Sequence, residues 1–373
     1  MLLLSHRMSL CALLLCASQV HAQILIGQTA GYTGTVALGV KETAEGAKMY
    51  FDMVNAKGGI NGQKIELVSL DDKFDPKTAA ENARVLIEEK QVLALFLTRG
   101  TPHTEAILPL LDKYSVALVA PSTGAMSLHQ PVNKYVFNVR ATYQYEAEKA
   151  IHYLGATGMI KRVALVATDD SFGADGLTGA LKGLKSNGLV PVVNEKFDRS
   201  KPDFVNITAK IVAADAQAVM FIASGSAAAS GIQALRAAGS GAQIITLSNN
   251  ASIGFVKSLG ANAPGVVVSQ VFPSERSSSK AFVKEAQDIA RSNPGRSIEL
   301  TPSSLEGFAA AKVMVEALRR AGVAPTRAKI QAALEGIKEF DLGGMSLGYG
   351  PNDRTGLSYA ELSVIGTDGK FRR

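Results

Sequence analysis

Two hydrophobic periods alternate along this chain. Ile24-Leu25-Ile26-Gly27 is a short apolar run with the character of a buried strand, and residues from about Leu38 to Ala56 carry apolar side chains at helical spacing. Ile65-Glu66-Leu67-Val68-Ser69-Leu70 then returns to a strand. In the connection, Gly58 and Gly59 suit the left-handed end of a helix, and Asn61-Gly62 predicts a tight turn. Asp71-Asp72 follow the strand, and Asp75-Pro76 supplies an N-cap and a first helical residue. A strand–helix–strand–helix order argues for a parallel sheet covered by helices.

The alternation continues. Val92–Leu97 predicts a buried strand, Thr101-Pro102 caps a helix running to about Lys113, and Val116–Ala120 forms the next strand, ending at Pro121-Ser122-Thr123-Gly124. Tyr135–Val139 and a helix from about Tyr143 to Leu154 close this series. The pattern then restarts with strand Val163–Ala167, the loop Thr168-Asp169-Asp170-Ser171-Phe172-Gly173 and a helix to about Leu184. Strand Val190–Phe197, an Asp203-capped helix, strand Ala218–Ile222 opening into Ala223-Ser224-Gly225-Ser226, and strand Ile244–Leu247 ending at Ser248-Asn249-Asn250 complete a second unit. After strand Gly265–Val271 come helices at about Lys280–Ser292, Pro302–Ala321 and Thr326–Leu334, then strands Met345–Gly348 and Leu357–Ile365. The expected fold is α/β, with two doubly wound parallel-sheet lobes. The late helices would cover the first sheet and the terminal strands would extend the second.

A chain of 373 residues, 47% apolar, suits two domains with aliphatic cores. Its first residues stand apart: His6 and Arg7 precede an apolar run from Met8 to Cys16, and Val20 and Ala22 occupy small-residue positions before a cleavage point after Ala22. Residues 1–22 therefore read as a secretory signal, too short for a membrane span. Cys11 and Cys16 are the only cysteines, so the mature chain has no thiol for a disulfide, a metal or a nucleophile. Leu15 argues against a lipid anchor on Cys16. Loss of the signal removes Arg7 alone among the charged residues, lowering the net charge from +6 to +5. The basic residues are scattered, and Asp198 and Asp203 interrupt the densest run, which argues against nucleic-acid binding.

In an open parallel sheet, ligands bind beyond the carboxyl ends of the strands. Here those ends share small hydroxyl residues and glycine: Thr98-Arg99-Gly100-Thr101, Ser122-Thr123-Gly124, Asp170–Gly173, Ser224-Gly225-Ser226 and Ser248-Asn249-Asn250. Thr101 and Ser122 could donate to an anion or merely cap helices. Arg99 could grip a carboxylate in two-pronged fashion or be an exposed loop charge. Tyr32, Tyr143 and Phe172 could wall a pocket or be ordinary packing. The remaining histidines, His103, His129 and His152, lack metal-ligand spacing, and His103 reads as structural. No G-x-S-x-G elbow or Walker-type loop occurs, and Gly27, Gly31 and Gly34 do not match G-x-G-x-x-G. No enzyme, cofactor or metal is expected.

The run Asn55–Gly62 with Asp71-Asp72 and Asp75-Pro76, the loops Ala120–Gly124 and Asp170–Gly173, and the ending Gly343-Gly344 through Phe371 together resemble the solute-binding proteins of branched-chain amino acid ABC importers. The resemblance implies a type I periplasmic-binding fold, with two lobes, three crossovers and a ligand trapped between the lobes. Crossovers are expected near Arg140-Ala141, Val271-Phe272 and Asp341-Leu342, giving a first lobe of residues 23–140 plus 272–341 and a second of 141–271 plus 342–373. It further implies that Thr101, Ser122, Thr123 and Gly124 hold a ligand carboxylate, with an aromatic at Phe172. The candidate binding set is Arg99, Thr101, Ser122, Thr123, Gly124, Tyr143, Phe172, Ser224 and Asn249. The chain departs from the family at Ser248-Asn249-Asn250, where no carboxylate stands for an ammonium group, at the Ser224 region in place of a tyrosine, and in lacking an early cysteine pair. Asp169 or Asp170 could substitute; otherwise the ligand is a plain carboxylate, with Arg99 helping.

The expected function is a monomeric periplasmic receptor that captures a small amino acid or related carboxylate and delivers it to the membrane subunits of an ABC permease. The alternative is a ligand-sensing domain for a signalling partner, which would require a tether that the sequence lacks.

Overall fold

The computed structural model describes residues 23–156, 159–292 and 298–373; the expected signal and its cleavage point lie outside them. The first series runs β1 (Ile24–Ala30), α1 (Ala37–Ala56), β2 (Ile65–Asp71), α2 (Pro76–Glu88), β3 (Ala94–Phe96), α3 (Thr101–Tyr114), β4 (Leu118–Val119) and β5 (Val136–Phe137). Its five strands form a parallel sheet in the order β2-β1-β3-β4-β5, with Ile24 opposite Ile65 and Ala30 opposite Asp71. The second series runs α4 (Tyr143–Ala156), β6 (Val163–Thr168), α5 (Ser171–Ser186), β7 (Val193–Phe197), α6 (Phe204–Ala213), β8 (Ala218–Ile222), α7 (Gly225–Ala237), β9 (Gln243–Thr246), α8 (Ile253–Leu259) and β10 (Val267–Gln270). Then come α9 (Ala281–Ser292), α10 (Pro302–Ala321), α11 (Arg327–Glu335), β11 (Phe340–Asp341), β12 (Ser346–Leu347), β13 (Glu361–Ile365) and β14 (Phe371–Arg372). The second sheet is β14-β13-β10-β9-β8-β6-β7, parallel except for β13 and β14.

Local chemistry accounts for most boundaries. Asp75 caps α2 by accepting from the Thr78 amide at 2.7 Å, ahead of Pro76 at the first helical position. Asp170, Asp203, Thr301 and Thr326 cap α5, α6, α10 and α11 in the same way. Gly58, Gly59, Asn61 and Gly62 all take positive φ where the chain leaves α1 and turns into β2. At Thr101 the expectation is corrected: Gly100 is the N-cap of α3, and Thr101 is its first residue, with its hydroxyl turned elsewhere. The helix α8, capped by Ser252 on the Phe255 amide, was not expected from the sequence.

Helices α9 and α10 cover the first sheet, as expected. α10 lies along α1 at very short range, since a Cβ added at Gly46 would sit 1.8 Å from the Ser304 carbonyl oxygen and one at Gly307 1.8 Å from that of Thr43. Tyr50 and Phe308 meet edge to face at 5.2 Å beside this contact. The tail departs from expectation. β12 pairs with β11, not with the second sheet, and Leu342, Leu347, Tyr349 and Leu357 join the apolar core of the first lobe. Tyr349 Oη donates to the Asn138 carbonyl at 2.9 Å, and the Leu357 amide donates to that of Val139 at 3.0 Å. The segment expected to begin the second lobe at Leu342 thus packs on the first sheet, and the chain reaches the second sheet only with β13.

Gly307→Ala is expected to lower stability by about 2 kcal/mol through overpacking, read as a reduced urea midpoint at unchanged m. Gly241→Ala, where an added Cβ meets nothing within 4 Å, should stay within about 0.5 kcal/mol. Equal stability of the two variants would rule out a glycine-dependent α1–α10 contact.

Candidate functional site

Strand order reverses direction on either side of β1 and β3 in the first sheet and of β6 and β8 in the second, the switch points where parallel sheets leave a crevice. Segments following β1, β3, β8 and β9 meet between the lobes around a cavity of about 180 Å³, lined by Thr35, Val36, Leu38, Arg99, Gly225, Asn249, Asn250, Ser252 and Phe255 among others. A smaller space of about 10 Å³ is bounded by Gln28, Thr43, Arg99 and Ser122. Arg99 borders both.

Arg99 is buried at 5% exposure and spans the junction. Its Nη1 donates to Ser122 Oγ at 3.0 Å in the first lobe, and its Nη2 donates to the Asn249 carbonyl at 2.6 Å in the second. Ser122 Oγ in turn donates to Glu306 Oε1 at 2.8 Å. Asn249 Nδ2 donates to the Ala223 carbonyl at 3.1 Å and to Ser224 Oγ at 3.0 Å. Of the nine candidates, Arg99, Ser122 and Asn249 line these spaces. Thr101 and Thr123 share a hydroxyl–hydroxyl bond of 2.7 Å behind them. The Gly124 carbonyl accepts from the Tyr143 amide at 2.8 Å, and an added Cβ at Gly124 would lie 2.5 Å from the Ala141 carbonyl oxygen. Tyr143 and Phe172 pack edge to face at 4.9 Å within the second lobe's core, and Ser224 orients Asn249.

The two aspartates proposed as ammonium partners are engaged elsewhere. Asp169 pairs with Lys196 at 3.3 Å, while Asp170 caps α5 and binds Arg199. Arg199 also lies 4.7 Å over the Phe74 ring, which stacks on His103 at 4.2 Å. Thus a first-lobe aromatic meets a second-lobe cation at the rim. Tyr32 faces away, bonding to Gln28 and Ser69.

Sequence reasoning missed several groups that close the cleft. Glu42 on α1 accepts from the Ile253 and Gly254 amides at 3.1 and 2.8 Å, at the start of α8, and burial lifts its carboxyl above the usual range against these bonds. The Ser226 amide donates to the Thr35 carbonyl at 3.1 Å, and Ser171 Oγ donates to Glu105 Oε2 at 2.6 Å. A Cβ at Gly225 would lie 2.0 Å from the Thr35 carbonyl oxygen, and one at Gly254 2.2 Å from Leu38 Cβ. Behind the cleft, Arg140 is paired with Glu146, donates to Ser248 Oγ at 2.5 Å and lies 3.7 Å from Glu306. Helical spacing marks Glu42, Glu146 and Glu306 only as polar positions on amphipathic helices, so nothing in the sequence distinguishes them from solvated acids. Among the described residues no group of three or more His, Cys, Asp or Glu gathers to hold a metal, and no helix is long and apolar enough to cross a membrane.

Burial drives His103 down to about 4, with Arg199 adding to the effect, whereas burial lifts the nearby Asp72 to about 6. A depressed histidine contributes stability that is present above about pH 6.5 and is lost as pH falls toward 4; the raised aspartate acts oppositely, its penalty easing as pH falls below 6. His103→Phe, which keeps an aromatic against Phe74, is expected to flatten the loss of stability between pH 6.5 and 4 by an amount on the order of 2 kcal/mol. Parallel pH profiles of parent and variant in urea melts would contradict this assignment.

The profile of the periplasmic binding protein family matches residues 23–369. A substrate-binding periplasmic protein from Ralstonia solanacearum superposes with a TM-score of 0.86 at 30% identity, over 94% of this chain and 99% of that one. A possible leucine/isoleucine/valine-binding protein from Rhodopirellula baltica gives 0.88 at 27% identity, over 96% and 98%. Leu/Ile/Val-binding protein BraC3 of Rhizobium johnstonii is 30% identical over 217 residues, 57% of this chain and 58% of that protein, so the chain spans little more than half the length of this relative. The family consists of ligand binders rather than enzymes. With its two α/β lobes and a matched region that takes in nearly all of the described residues, the chain belongs to the periplasmic binding protein family and has the type I fold of its Leu/Ile/Val-binding members.

Proposed function

We propose that this protein is the periplasmic solute-binding component of an ABC importer, capturing a small amino acid or related carboxylate between its lobes and delivering it to the permease. The observation that carries this reading is Arg99. It is a buried guanidinium at the mouth of the first sheet that reaches the second lobe, bonds only neutral oxygens and lines the interlobe cavity. A carboxylate entering there meets a two-pronged donor in a site of low dielectric, where such bonds are strongest. Closure brings Asn249, Ser224 and the glycine-edged start of α8 over the solute, and the closed outline is the shape the membrane partner reads. In this reading the secretory signal ends at Ala22 and the protein acts as a monomer. One lobe comprises residues 23–140 and 272–357, the other 141–271 and 358–373.

Isothermal titration against a panel of amino acids and small carboxylic acids tests the proposal, and failure of every member to bind would remove it. Arg99→Ala is expected to weaken binding of the solute so found by at least about 100-fold, the scale of a lost charge-assisted pair, with circular dichroism unchanged. Gly254→Val should hold the lobes apart at Leu38, raising the solution radius of gyration in the presence of solute and weakening affinity by about tenfold or more. A Gly254→Val protein that closes and binds like its parent would show that the α1–α8 contact is not part of closure.

A further inference from the structure

Two residues of the cleft lining, Arg99 and Asn249, together narrow the solute. Among the residues lining the cleft cavity and the small space that Arg99 and Ser122 border, Arg99 is the only charged one. Four acids of the surrounding elements are occupied. Glu42 caps α8, Glu146 is paired with Arg140, and Asp169 and Asp170 hold Lys196 and Arg199. Glu306 reaches Arg99 only through the Ser122 hydroxyl and stands 3.7 Å from Arg140. An ammonium group enclosed in the cavity would face neutral oxygens alone, which is unfavourable for a desolvated cation.

Asn249 supplies the second observation. The Ala223 carbonyl can only accept, so the amide nitrogen must be the atom facing it, and the same nitrogen donates to Ser224 Oγ. This orientation leaves Asn249 Oδ1 without a hydrogen-bond partner in a side chain that is 5% exposed and forms part of the cavity wall. A buried acceptor of this kind calls for a donor on the ligand.

We propose that the solute is a carboxylate whose second polar group is an uncharged donor, a 2-hydroxy acid in preference to the zwitterionic 2-amino acid, with Arg99 binding the carboxylate and Asn249 Oδ1 accepting from the hydroxyl. The inference rests on the binding-protein reading above and specifies its ligand. Val36, Leu38 and Phe255 give the aliphatic remainder of such an acid an apolar wall. A 2-oxo acid of the same skeleton satisfies Arg99 but brings no donor, and the 2-amino acid brings a donor whose charge has no direct partner.

Titration calorimetry of the mature chain at neutral pH with matched 2-hydroxy, 2-amino and 2-oxo acids of three to six carbons tests this. At the best chain length the hydroxy acid should bind at least about tenfold more tightly than either counterpart. Asn249→Asp should move the hydroxy-to-amino preference toward the amino acid by about tenfold or more; because it also removes the amide donors, its folding is checked by circular dichroism, and the parent ratios decide the question regardless. An amino acid that binds as well as or better than its hydroxy counterpart overturns the inference and leaves the importer reading standing. Selective weakening of amino acid binding by Glu306→Gln also overturns it, by identifying an ammonium partner. Failure of all three classes overturns it as well, and the importer reading falls with it only if the wider panel binds nothing.

Discussion

A guanidinium removed from water must be neutralised where it sits, and Arg140 imposes that condition at the point where the chain first leaves the first sheet. It is buried at 1% exposure, pairs with Glu146 of α4, bonds Ser248 after β9 and approaches Glu306 of α10. Burial acts against its charge, but Tyr143, Glu146 and Glu306 outweigh it and raise its hold on the proton. Glu146 is satisfied in turn by the Ser248 amide at 3.0 Å and the Ser269 hydroxyl at 2.5 Å. Removing any member would strand the others in a dry environment. The cluster therefore ties α4, the β9 and β10 strands and α10 to one geometry at the junction of the lobes.

From that junction the two sheets turn their strand ends toward each other. The first lobe contributes charge through Arg99, held by the Ser122 hydroxyl oxygen; the second contributes neutral oxygens, amides and glycines. The division has a physical logic. A solute anchored electrostatically on one lobe can be covered by the other without a second charge having to be desolvated. Coverage then depends on shape: Gly225 lets backbone meet the Thr35 carbonyl, and Gly254 lets the α8 backbone meet the Leu38 side chain, where a further side chain would not fit. Glu42 adds a carboxylate at the N-terminal end of α8, a favourable place for negative charge.

Much of the fold is legible in the order of apolar runs. The parallel strands, the capped starts of α2 and α6, and the turn between α1 and β2 follow from residues adjacent in sequence, because caps and turns are satisfied within a few residues. The tail was not legible. Residues 345–348 have strand character, but they pair with β11 just before them in the chain, and the burial of Tyr349 against Asn138 depends on a partner 211 positions away. The candidate site divides similarly. Arg99, Ser122 and Asn249 stand at strand ends, where composition draws attention, whereas Glu42, Glu306 and Arg140 acquire their roles from neighbours distant in the chain.

The amino-acid sequence alone determines that this protein alternates strands and helices in two successive units and that polar, glycine-containing loops cap the strands, since periodicity, capping and turn chemistry act over short range. Only the tertiary structure decides that Arg99 reaches the opposite lobe, that Asp169 and Asp170 are engaged by other cations, and that the chain turns back onto the first sheet before finishing in the second. Those outcomes depend on which charges and hydrogen-bonding groups find partners beyond their own local segment. That matching is settled in three dimensions, where leaving a polar group dry and unpaired carries its full cost.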